Sequence, residues 1–142
     1  MHRPPHAYVP GRTERHPDGA FDAVRASVVP GASPDALAAS AAFRHGLHYI
    51  ETGYYWEAHE VLEPVWMALP DGSGERAFVQ GLIQLANGLL KLRMGRAKAA
   101  LRLSAISRNL VLDARAASVM GVRRHEVLDR IERLHREARS AS

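Results

Sequence analysis

A chain of 142 residues, 46% hydrophobic and 24% charged, has the usage of one globular domain, and a domain of that size buries roughly 70% of its unfolded surface. The absence of cysteine excludes a disulfide scaffold, a thiolate zinc site and a cysteine nucleophile. The net charge of +4 is uneven, being +1 over residues 1–33, −3 over 34–94 and +6 over 95–142.

Residues 1–33 read as an irregular arm. Five of the eight prolines lie there, and each removes a donor and fixes φ, so regular structure cannot propagate; at most a short helical turn fits between Ala20 and Val29. His2, His6 and His16 resemble a metal-binding tract, but without supporting acids they are expected to be solvated. Ser33-Pro34 is an N-cap followed by proline at the first helical position, which starts a single domain over 34–142. The first helix is expected from Pro34 to about Thr52, stopped by Gly53, with Ala36, Ala39, Phe43, Leu47 and Ile50 as its apolar stripe. His45 and His48 fall on the other side as a solvated pair.

The second helix spans roughly Tyr54 to Leu69, with Ala58, Val61, Leu62, Val65 and Leu69 on its core face. The third, about Glu75 to Met94, is apolar over more than half its circumference and should be the central, most buried helix. A fourth, Ala97 to about Ala116, offers Ala99, Leu103, Ile106, Leu110 and Ala114. A fifth, about Arg123 to Ala138, offers Val127, Leu128, Ile131, Leu134 and Ala138. No run of alternating β-branched residues interrupts the series. The expected fold is therefore all-α, a compact antiparallel bundle of four to five helices.

Chemistry concentrates in Tyr55–Trp66. His59 and Glu63 are i,i+4 and share a helix side beside Trp66, and Glu60 lies one turn before Pro64. Pro64 has no N–H for the carbonyl of Glu60, so a kink and a free acceptor are expected near both carboxylates. On the third helix Gln80, Gln84, Asn87 and Lys91 form one narrow polar stripe, edged by Gly81 and Gly88. That stripe needs partners or water, and the second helix is the obvious neighbour.

The string G-x-Y-x-E-A-H-E-x-L-E-x-x-W at Gly53–Trp66, followed by Q-G-L-I-Q-L-A-x-x-L-L-K at Gln80–Lys91, resembles the Domain of Unknown Function 309 family of small all-helical proteins. The resemblance covers about residues 40–105, and the Y-V-P-G-R-T segment at Tyr8–Thr13 is similar to that of some members. It implies a compact helical fold and places the signature on Glu57, His59, Glu60, Glu63, Trp66, Gln80, Gln84 and Lys91. It implies no reaction, substrate or cofactor. Pro64 departs from the pattern.

Three function classes stand open. The first is a binding module in which His59, Glu60 and Glu63 form a polar lock or groove floor against Gln80, Gln84 and Lys91, with Glu57 and Trp66 among the ligand-facing residues. The second is a hydrolase or transferase with His59 as base beside Glu60 or Glu63; a mononuclear metal, if any, would sit on His59 and Glu63, and no cofactor is otherwise indicated. The third is nucleic-acid binding through the Arg-rich final helices. Glu126–Arg130, Asp129–Arg133 and Glu132–Arg136 instead have the spacing of an ordinary solvated face, and no Phe, Tyr or Trp follows Phe78 to stack on bases. The expected partner is a small molecule or a protein, with no membrane, and nucleic acid is the least favoured of the three classes. Leu101 and Leu112 could extend a homodimer surface. With no apolar run near the ~18 residues of a span and no secretory signal in MHRPPHAYVPGR, the expected setting is cytoplasmic.

Overall fold

The computed structural model describes residues 3–142, so His2 of the histidine tract lies outside the described residues. Its elements in chain order are α1 (Asp22–Arg25), α2 (Pro34–Ala38), α3 (Ala41–Thr52), α4 (Tyr55–Ala68), α5 (Gly74–Arg93), α6 (Ala97–Asp113), β1 (Ser118–Val119), β2 (Val122–Arg123) and α7 (Arg124–Ala141). The fold is all-α, and its only strands among the described residues form one two-residue hairpin. Helix α5 packs against α4, α6 and α7, and α3 packs against α4. The pairs are antiparallel: His59 of α4 meets Asn87 of α5, Ser107 of α6 meets Gly81, and His135 of α7 meets Ser104. No described helix is long and apolar enough to cross a membrane.

The apolar patterns of α4, α5 and α7 become the core as expected. Ala58, Val61, Leu62, Val65 and Leu69 are buried, as are Phe78, Val79, Leu82, Ile83, Leu85, Ala86, Leu89 and Leu90. Val127, Ile131, Leu134 and Ala138 of α7 join them, while Leu128 of the expected face is only partly buried against the core.

The single helix expected over Pro34–Thr52 is two. Ser40 takes an extended backbone, and its hydroxyl accepts from Phe43 N at 3.2 Å while donating to Leu37 O at 2.6 Å. One side chain thus closes α2 and opens α3. The change of axis turns Leu37 into the core, 1% exposed, and leaves Ala36 and Ala39 exposed. Ser40→Ala is expected to cost about 1 kcal/mol, the worth of an N-cap, in a urea unfolding curve.

The stripe assigned to α6 is also corrected. Its buried residues are Ala97, Ala100, Ser104, Ser107 and Val111, whereas Ile106 is 40% exposed. The larger leucines lose because α5 presents Gly81 and Gly88 to this neighbour. A Cβ at Gly81 would stand 2.6 Å from Val111 Cγ2, and one at Gly88 would stand 2.8 Å from Leu134 Cδ2. Close approach favours small residues over bulky ones, and Ser107 uses it to donate to Gly81 O at 2.7 Å. The two glycines therefore serve α6 and α7 instead of edging a seam with α4.

Helix α6 ends at Asp113, earlier than expected, and the chain forms the β1–β2 hairpin before α7. Its turn is Met120-Gly121, both at positive φ (51° and 78°), the backbone of a two-residue hairpin turn. Strands of two residues leave no alternation to detect in sequence. None of the three i,i+4 pairs expected on α7 closes to 4 Å; Glu126 lies 3.8 Å from Arg123.

Candidate functional site

Helix α4 works in two directions. At roughly 100° per residue, Glu57, Glu60 and Glu63 fan across about 120° of its surface, and His59 lies beyond Glu63, toward α5. The acids meet the N-terminal arm. His59 meets the polar stripe.

The deepest of these groups is Glu57, fully buried. Its Oε2 accepts from the backbone N–H of Tyr8 at 2.7 Å and from His16 Nε2 at 2.5 Å. The His16 side chain is only 3% exposed, stacked on His6 and walled by Trp56 and Phe21, so His16 is not solvated. Tyr8 sets its ring edge-on to Trp56 at 5.1 Å. Two donors on one carboxylate oxygen are what a buried acid requires. The other oxygen, Oε1, has no hydrogen-bond partner among the described residues.

Tyr49 shares this interior at 0% exposure, and its phenol is pushed up from 10.0 to about 12 by burial, then by the Glu57 carboxylate and by Tyr54. A raised acid pKa means that the folded state holds the proton more tightly than the unfolded chain does. Its contribution to stability is complete below pH 10 and is lost as pH rises through about 12. Unfolding midpoints followed across that window should fall, in step with phenolate absorbance.

Farther along α4 the arm is held by Arg25. Its Nη1 donates to the backbone carbonyl of Glu60, and the guanidinium lies 3.8 Å from both Glu60 Oε2 and Glu63 Oε1. The acceptor freed by Pro64 is thus occupied, and α4 runs unbroken past the proline. Arg12 adds a third anchor through Arg93 O at 2.6 Å, while Arg93 itself donates to Gly53 O and lies over the Tyr55 ring.

The seam with α5 is centred on His59. Nε2 faces Glu63 Oε2 at 3.2 Å and Nδ1 faces Asn87 Oδ1 at 3.0 Å; Asn87 Nδ2 in turn donates to Gln84 Oε1 at 3.3 Å. A carboxylate only accepts, so Nε2 donates to it. Nδ1 then donates to the Asn87 carbonyl, or, if both amides turn over together, accepts from the Asn87 N–H. Either way the chain Glu63–His59–Asn87–Gln84 is satisfied from end to end. The side chains of His59 and Glu63 remain 34% and 40% exposed.

The other expected residues are spread along the same two helices. Gln80, half-buried, lines a separate recess of about 380 Å³ with Gly74, Arg76 and Arg115. Lys91 is half-buried and, among the described residues, outside the His59 network. Trp66 lies under the Arg76 guanidinium, 4.7 Å from it, with a buried Nε1 that has no partner among the described residues. Among the described residues no group of three or more His, Asp or Glu side chains is placed to hold a metal ion. His59, Glu60 and Glu63 do not converge as such a set, because Glu60 is turned to Arg25. Sequence reasoning missed Tyr8, His16 and Arg25. A backbone N–H leaves no trace in the sequence, and no periodicity ties residues 8, 16 and 25 to α4.

No curated protein and no solved structure matches this chain. The model of the family described as Domain of unknown function (DUF309) matches residues 43–103, which contain α4, α5 and the whole His59 seam, and this stretch is what the chain shares with that family.

Proposed function

We propose that this protein is a binding module whose recognition surface is the α4–α5 seam, with His59, Glu63, Asn87 and Gln84 at its centre and Lys91 farther along α5. Its ligand is a small polar molecule bearing amide or carboxylate groups, because the seam offers paired donors and acceptors and both signs of charge. The observation that carries this reading is His59 itself. Both ring nitrogens are engaged, yet a third of the side chain is open to solvent. A fixed, accessible polar array suits recognition, whereas a general base needs one nitrogen turned toward its substrate.

The test is a titration of the labelled protein with amide-bearing small molecules, glutamine among them, followed by amide and side-chain resonances. Saturable shifts at Asn87, Gln84 and His59, lost in His59→Ala, are expected. The same variant should lose only about 1 kcal/mol of stability, because water replaces the imidazole at a half-exposed site. A loss above about 3 kcal/mol, with no ligand-dependent shift in the unmutated protein, would reduce the cluster to a structural lock.

A further inference from the structure

A second concavity lies away from the seam, between α3 and α7 with α5 beneath, and measures about 710 Å³. That volume is within the range of small-molecule sites. Its floor is apolar: Ile50, Leu82, Leu85 and Val127 are all 7% exposed or less. Leu47 continues it at half-burial.

The charged lining divides by depth. Glu51, Glu126, Asp129 and Glu137 are exposed, as are Arg133 and Arg136, so water and salt screen them. Arg130 is the charged lining residue that is not exposed. Its Nη1 is buried and has no acceptor among the described residues. Burial, followed by the neighbouring Arg133, lowers its pKa, while Tyr55 and Glu137 only partly offset this. A buried guanidinium N–H without an acceptor is costly, and a charge partner is worth more at such a position than at an exposed rim.

We propose that this groove binds a small amphipathic monocarboxylate, its carboxylate received by the Arg130 guanidinium and its hydrocarbon tail laid on Ile50, Leu82, Leu85 and Val127. The exposed rim carries Glu51, Glu126, Asp129 and Glu137 against Arg133 and Arg136, so the mouth is on balance acidic and does not itself draw an anion. Selection then rests on the deep cation and the apolar floor acting together. An anion without a tail forgoes the floor, and a neutral amphiphile adds no charge partner to an Arg130 guanidinium that otherwise has only the Tyr55 hydrogen bond and the attraction of Glu137.

The proposal is tested with octanoate, octyl glucoside and acetate, titrated into the full chain while the methyl resonances of Leu82, Leu85 and Val127 are followed. Octanoate should shift them saturably. Octyl glucoside, with the same tail and no charge, should bind about tenfold more weakly, the value of one charge-assisted hydrogen bond, and acetate should not saturate. Arg130→Gln should weaken octanoate by a similar factor while leaving the melting temperature at or above that of the parent, since it removes a strained buried charge. Arg133→Gln, on the rim, should change affinity less than threefold. Equal binding of octanoate and octyl glucoside, or unchanged octanoate binding in Arg130→Gln, would overturn the proposal. So would broadening of the same methyls on concentrating the protein alone, which would assign the groove to a second copy of the chain.

Discussion

Glu57→Ala should lower the unfolding free energy by about 3–5 kcal/mol, the cost of leaving two inward-facing donors without their shared acceptor. The carboxylate is fully buried and receives both the Tyr8 N–H and the His16 ring on one oxygen. Its loss leaves a buried backbone donor and a buried imidazole unanswered inside the His6, Trp56 and Phe21 cage. Glu57→Gln keeps the volume and one acceptor for Tyr8, and should cost only about 1–2 kcal/mol. Urea unfolding of the three proteins checks the order. The arm should be released alongside, so trypsin should cut at Arg12 and Arg15 faster in Glu57→Ala than in the parent. Equal cleavage rates, with parent-like stability, would mean that the carboxylate does not hold the arm.

The second large effect is expected at Gly81. A Cβ there would come within 2.6 Å of Val111 Cγ2 and 3.3 Å of two backbone atoms of α6. Gly81→Ala recovers about 1 kcal/mol of helix propensity, which partly masks the clash. Gly81→Val adds two more carbons against the α6 backbone and cannot be relieved by a rotamer change. It should cost about 3 kcal/mol, at the upper end of overpacking penalties, and should also break the Ser107–Gly81 hydrogen bond. Thermal unfolding with near-ultraviolet dichroism would show it. A melting temperature equal to that of the parent would mean that α5 and α6 are not in backbone contact.

Some of this molecule is legible from sequence and some is not, for reasons that differ by element. The faces of α4, α5 and α7 are plain because bulky apolar residues recur at helical spacing and end up inside. The face of α6 misleads, since Gly81 and Gly88 on its neighbour reward alanine and serine over leucine, and that preference belongs to the partner helix. The break at Ser40 is hidden because apolar residues at helical spacing continue on both sides of it, as in one longer helix. At the site, the His59–Asn87 meeting follows from two polar stripes on adjacent helices. The direction of Glu57 and Glu60 does not, because their partners are a backbone N–H, a histidine and an arginine supplied by an irregular arm.

Pro64 shows how local chemistry and tertiary contact combine. It removes the donor that the Glu60 carbonyl would have had, and Arg25 supplies another from 35 residues away. An arm anchored through Tyr8, Arg12, His16 and Arg25 covers one side of α4 and leaves the His59 side open.

The two-sided use of α4 is tested most directly by hydrogen exchange at a single site, the backbone amide of Tyr8. Bonded to a buried carboxylate, it should exchange far more slowly than an unstructured peptide amide and become fast in Glu57→Ala, while the amides of α5 around Asn87 stay protected. A Tyr8 amide exchanging at the unstructured rate in the unmutated protein would contradict the account.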